Sequence, residues 1–92
     1  MKVRPFTIAV ENSVLDDLRQ RLADTRWPDE IPNTGWDYGS NLTYIKELVD
    51  YWRTDFDWRA QEAKLNAFNH FKSEVDGLDI HFIHEKGKGP NP

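Results

Sequence analysis

Three histidines, His70, His81 and His84, are the side chains in this 92-residue chain best suited to moving a proton near neutral pH. His81 follows Asp79 by two residues, the spacing that places both on one face of a strand, so Asp79 could orient His81 as a base. A hydrogen-bonded surface histidine satisfies the same spacing and asks for less. His81 and His84 are three apart, which on a strand turns them to opposite faces and prevents a joint grip on a metal. Asp16-Asp17 is an adjacent acid pair, but the helix macrodipole alone favours acids near a helix start. Glu62 lies mid-helix; a solvated face is its first reading, and a salt bridge to Arg53, Arg59 or a partner is the second. There is no cysteine, no Gly-x-Ser-x-Gly elbow, no Walker loop and no His-Glu-x-x-His. The chain is therefore expected to carry no catalytic, cofactor-binding or metal-ligating residue.

The segments that hold these residues read first as helices. Leu15, Leu18 and Leu22, with Val14 beside them, make the apolar stripe of a first helix. Asn12 or Ser13 is its expected cap, with Ser13 and Asp16 approximating a capping box, and Asp17 and Arg21 form an i,i+4 pair. Proline disfavours helix at the residue before it, so Trp27-Pro28 ends the element. Pro28, Pro32 and Gly35 then punctuate a loop bracketed by Trp27 and Trp36. Those two rings either fold back onto the helices or dock on a partner domain.

Ser40 is the expected cap of a second helix, from about Leu42 to Trp52 or Arg53, with Leu42, Ile45, Leu48, Val49 and Trp52 on one face. A break at Thr54–Asp57 follows. Asp57 should cap a third helix from about Trp58 to Asn66 or Ala67. Trp52, Phe56 and Trp58 gather at this junction, either as a hydrophobic core or as a docking surface. Asn41-Leu42-Thr43 matches a glycosylation sequon, read here as a chance match.

The remaining segments alternate with period two. Phe6, Ile8 and Val10 predict a short edge strand or surface strap, and Pro5 suits an edge because it lacks the N–H that a central strand would use. Phe71, Ser73 and Val75 alternate with polar residues up to Asp76-Gly77, and Leu78, Ile80 and Phe82 alternate beyond it. Asp-Gly accepts the positive φ of a primed turn, so a β-hairpin is expected. A lone hairpin is marginal and needs a helix face or further strands. The fold class is accordingly α+β, with about three helices, a tryptophan-rich loop and a C-terminal hairpin. Residues 5–69 form a helical strap, 70–86 the hairpin and 87–92 a flexible tail.

Composition narrows the function. The chain is long enough for one small domain that is marginal by buried area alone. A formal net charge of -4 argues against nucleic acid and anionic membrane as partners. No apolar run approaches the ~20 residues that span a bilayer, and no apolar stretch follows the charged start at Met1-Lys2-Val3-Arg4, so the expected location is the cytoplasm.

An ordered set of motifs resembles one family. Leu15-Asp16-Asp17-Leu18, Thr25-Arg26-Trp27-Pro28-Asp29-Glu30, Gly35-Trp36-Asp37-Tyr38-Gly39, Tyr51-Trp52-Arg53, Asp57-Trp58-Arg59 with Glu62, Leu65-Asn66, and Asp76-Gly77-Leu78-Asp79-Ile80-His81-Phe82 follow one another as in the N-terminal domain of the epoxide hydrolase family, of the microsomal and juvenile-hormone type. The resemblance spans about Pro5 to Pro92. It implies that the hairpin opens an α/β-hydrolase sheet and that Glu62 belongs to a motif. It also implies a two-step hydrolysis of epoxides to diols, a detoxification chemistry, by an aspartate nucleophile, a histidine base and lid tyrosines. All of these belong to sequence beyond Pro92, and Tyr38, Tyr44 and Tyr51 do not take the lid role. The family pattern would continue into a His-Gly-Trp-Pro motif, and the membrane anchor of some members would precede Pro5; both are expected to be absent here.

Two functions compete on these grounds. The first is a structural domain that braces the lid and core of a downstream catalytic α/β-hydrolase domain, inactive alone, with Trp27, Trp36, Trp52, Trp58 and Phe82 as interface candidates. The second is a free-standing interaction module, favoured by the dense tryptophan set. Under either, the open hairpin edge predicts self-association.

Overall fold

The computed structural model describes residues 2–91. Met1 and Pro92, the outermost residues of the charged start and of the expected tail, lie outside the described residues. The element order is β1 (Val3–Phe6), α1 (Asn12–Ala23), α2 (Leu42–Thr54), α3 (Trp58–Leu65), β2 (His70–Val75) and β3 (Leu78–Ile83), an α+β arrangement. The described chain divides into two compact units. One joins the residues up to Ala9 with those from Asp57 onward; the other is Val10–Phe56.

The first unit is built on a three-stranded antiparallel sheet in the order β1-β2-β3. The hairpin forms as expected: Asp76 and Gly77 both take positive φ, at 51° and 79°, the requirement of a primed two-residue turn. It is not a lone hairpin, because β1 pairs along β2 with Val3 opposite Ser73 and Phe6 opposite His70. The N-terminal strand therefore lies earlier than the Phe6–Val10 alternation predicts, and Ile8 and Val10 fall outside it. Pro5 is accommodated because β1 is an edge strand.

Ile8 is instead held by Asn66, the residue that ends α3. The Ile8 N–H donates to Asn66 Oδ1 at 2.9 Å, and Asn66 Nδ2 donates to the Ile8 carbonyl at 2.8 Å. One side-chain amide thus satisfies both polar groups of a backbone residue 58 positions away. α3 starts where the sequence places it, with the Asp57 carboxylate accepting from the Ala60 N–H at 3.1 Å.

The second unit packs α1 against α2. Two cap expectations fail here. Glu11, not Asn12 or Ser13, is the N-cap of α1, and it makes no side-chain cap bond. The Ser13–Asp16 box cannot form because both residues are already inside the helix, and Asp16 pairs with Arg19 at 3.3 Å. At α2 the cap is Asn41 rather than Ser40: its Oδ1 accepts from the Tyr44 N–H at 3.0 Å, the reach an amide has three residues ahead of a free donor. The Asp17–Arg21 pair forms at 2.8 Å. Leu15 is buried and Leu18 and Leu22 are half-buried, but Val14 is exposed.

Candidate functional site

Sheet register sorts the side chains of the first unit onto two faces, because paired residues point the same way. Val3 and Pro5 of β1, Phe71, Ser73 and Val75 of β2, and Leu78, Ile80 and Phe82 of β3 share one face. That face is apolar and largely uncovered: Val3, Val75, Leu78 and Ile80 are all exposed, Leu78 at 66%. Phe71 and Phe82 stack on it with ring centroids 5.7 Å apart. Ser73, the polar residue that the strands themselves place on it, is buried and donates to the Lys2 carbonyl at 3.1 Å.

The opposite face carries the polar chemistry. Arg4 and Asp79 pair across the sheet at 2.9 Å. Asp79 is therefore committed to Arg4, and the orienting role towards His81 that their spacing allows is not what the fold builds. His81 instead meets His70, Nε2 to Nδ1, at 2.9 Å, and packs edge-on against Phe6 with centroids 4.9 Å apart. His70 is buried, with Nε2 2.6 Å from the Leu65 carbonyl at the end of α3. Lys72 sits over the Phe6 ring, 4.2 Å from its centroid. His84 lies on the apolar face, tilted against Phe71. Spacing alone could not find the His70–His81 contact, since the two residues are joined only by the hairpin register.

Glu62 is buried at 8% exposure, which corrects the solvated-face reading in favour of the salt bridge. Its carboxylate accepts from Trp58 Nε1 at 3.1 Å and from Arg59 at 2.8 Å. The reason is helical spacing: residues three and four before Glu62 reach its two oxygens, so burial leaves the charge paired. The ring and the cation thus lock each other through one carboxylate. Glu85 holds Asn69 through both carboxylate oxygens.

In the second unit, the loop ahead of α2 wraps an open hollow of about 330 Å³ lined by Pro28, Glu30, Ile31, Tyr38 and Leu42. The Glu30 carboxylate accepts from the Leu42 N–H at 2.7 Å, which satisfies a free donor at the start of α2. Trp36 is 58% exposed and packs against Tyr44 with centroids 5.4 Å apart. Trp52 and Phe56 are also exposed, while Trp27, Trp58 and Phe82 are half-buried. Of the two readings of the aromatic cluster, a closed core is thus not what the chain forms for Trp52 and Phe56. Leu15 is the one buried hydrophobic side chain among the described residues.

Among the described residues no cluster of three or more histidine, cysteine, aspartate or glutamate side chains could hold a metal ion, and no helix is long and apolar enough to cross a membrane. The arrangement is that of an α+β segment whose apolar sheet face and both sheet edges stand open, a surface suited to being covered.

The family model described as epoxide hydrolase N terminus matches residues 3–92. Epoxide hydrolase 1 of Oryctolagus cuniculus is 40% identical over 96 residues, covering 98% of this chain and 21% of that protein. The crystal structure of juvenile hormone epoxide hydrolase from the silkworm Bombyx mori superposes with a TM-score of 0.86 at 27% identity, over 97% of this chain and 21% of that one. The Aspergillus niger epoxide hydrolase superposes with a TM-score of 0.80 at 31% identity, over 90% of this chain and 22% of that one. The chain belongs to the epoxide hydrolase family and corresponds to its N-terminal region. It spans about a fifth of the length of these relatives.

Proposed function

We propose that this chain is the structural N-terminal part of an enzyme that hydrolyses epoxides to diols, and that it braces the lid and core of a catalytic α/β-hydrolase domain in the same protein. The observation that carries the reading is the uncovered apolar face formed by Val3, Val75, Leu78 and Ile80 on a sheet with two open edges. Fully burying an aliphatic side chain contributes about 1.5–3 kcal/mol. Covering these four, each roughly half exposed, would then contribute about 3–6 kcal/mol, comparable to the whole stability of a small domain. A chain with that much to gain by docking is completed by another body. The family relationship supports the hydrolase domain as that body, because the matched region is about a fifth of each relative. Trp27, Trp36, Trp52, Trp58 and Phe82 are the proposed contacts, with the exposed Trp36 and Trp52 rings the first to test.

The nucleophile, the base and the lid donors belong to the covering domain, so the pure 92-residue chain is expected to turn over no styrene oxide. Measured diol formation by that chain would overturn the division of labour. A role in detoxification and a cytoplasmic location go with this proposal; cell fractionation with an antibody to this segment tests the location.

A further inference from the structure

The bracing role leaves the His70–His81 pair without a task. His70 Nε2 faces the Leu65 carbonyl at 2.6 Å, and a carbonyl oxygen only accepts, so that nitrogen carries hydrogen. With His70 neutral, its Nδ1 is a lone pair, and His81 must donate to it from Nε2 across 2.9 Å. One added proton is accommodated. It enters at the exposed Nδ1 of His81, and the single proton between His81 Nε2 and His70 Nδ1 then holds the two rings together from either side. A second added proton has no place, because it would set N–H against N–H between two cationic rings, one of them 5% exposed.

We propose that this pair is a proton-counting latch on the polar face of the sheet, closed with no or one added proton and opened by the second. Opening frees the exposed His81 ring of β3 from His70, while His70 stays tied to α3. The charges around it favour such a threshold. From β1, Arg4 is taken up by Asp79 of β3, and Phe6 presents its ring to His81. From β2, Lys72 lies opposite His81 in the register and over Phe6, and Glu74 lies opposite Asp79. From α3, the Leu65 carbonyl is the group that touches the pair, with Lys64 beside it in the chain and Glu62 held by Trp58 and Arg59. Arg4 and Lys72 already place two cations on this face. Asp79 of β3 is spent on Arg4, and Glu85, beyond the end of β3, is spent on Asn69, so among the described residues both acids near the pair are already engaged.

The test is a set of nitrogen-resolved imidazole spectra of the intact protein carrying this segment, across the range of about pH 8 to 5 in which imidazoles change charge. The latch requires the Nε2–H tautomer on both rings at the alkaline end and a first proton taken up by both rings with one shared midpoint. On further acidification, amide exchange along β3 should quicken about five- to tenfold beyond its intrinsic pH dependence, the factor for one hydrogen bond of ordinary net strength. His81→Gln, whose amide can donate to His70 Nδ1 without titrating, should keep the sheet and abolish that acid step, whereas His84→Gln should leave the step unchanged. An Nδ1–H on His70 at alkaline pH, independent titration of the two rings, or an acid step that survives His81→Gln would overturn the latch. The wild-type spectra decide the matter alone should His81→Gln fail to fold.

Discussion

Asn66→Ala removes the clamp that joins the end of α3 to the chain leaving β1. Two hydrogen bonds are lost, from Ile8 N–H to Oδ1 at 2.9 Å and from Nδ2 to the Ile8 carbonyl at 2.8 Å, both partly buried. Each is worth about 0.5–1.5 kcal/mol net, and a partly buried group left unpaired costs somewhat more, so a loss of about 2–3 kcal/mol is expected. The local readout is sharper than the global one. The Ile8 amide loses its acceptor, and its hydrogen exchange should accelerate by about tenfold or more, since each ~1.4 kcal/mol is a factor of ten. Asn66→Asp separates the two bonds: it keeps an acceptor for the Ile8 N–H but sets a carboxylate oxygen against the Ile8 carbonyl. Stability should therefore fall in both variants, while the Ile8 amide stays protected only in Asn66→Asp. Urea midpoints and amide exchange measured together check this. Equal Ile8 exchange in both variants, with midpoints unmoved beyond the ~0.5 kcal/mol scatter of surface substitutions, would refute the clamp.

Other substitutions probe the helix caps, the Glu62 site and the hairpin turn. Asp57→Ala and Asn41→Ala each remove a side-chain cap, at 3.1 and 3.0 Å, and should each cost about 1 kcal/mol by urea unfolding. Glu62→Ala should cost about 2–3 kcal/mol and alter the fluorescence of Trp58, whose Nε1 loses this acceptor inside a buried site; Glu62→Gln should recover the part that depends on hydrogen bonding and not the part that depends on Arg59. Gly77→Ala places a Cβ in open space at φ 79°, so it strains the backbone without a clash and should lower stability by about 1 kcal/mol. The open edges of β1 and β3 predict that the 92-residue chain self-associates, and a strictly monomeric mass in sedimentation at high concentration would contradict this.

What could be read without coordinates was whatever a few neighbouring residues settle among themselves. Asp57 caps α3 because its carboxylate needs only to reach the N–H three residues on. Asp76-Gly77 turns the hairpin because those two residues accept positive φ wherever they stand. The apolar spacing of Leu42 to Trp52 locates α2, and the ordered motifs were sufficient for the family. The misplaced caps mark the limit even of local reasoning: Ser40 and Asn41 are both good caps, and one residue of helix register chooses between them.

The rest depended on which surfaces meet. β1 joins β2 through pairings some 70 residues apart in sequence, such as Val3 with Ser73, and no short-range signal encodes its register. Asn66 finds Ile8 and Asp79 finds Arg4 instead of His81 only once α3 and β1 have joined the hairpin, whereas His81 finds His70 through the hairpin register. Glu62 looks solvated in a polar helical run, yet it is buried; its partners Trp58 and Arg59 are within one helical turn, but its burial was not legible from that spacing. Such partners are selected by packing over the whole unit, where a long-range contact must outweigh the entropy of closing a loop. Side-chain type states what a residue is able to bond; the assembled sheet and helices decide which of those bonds is within reach.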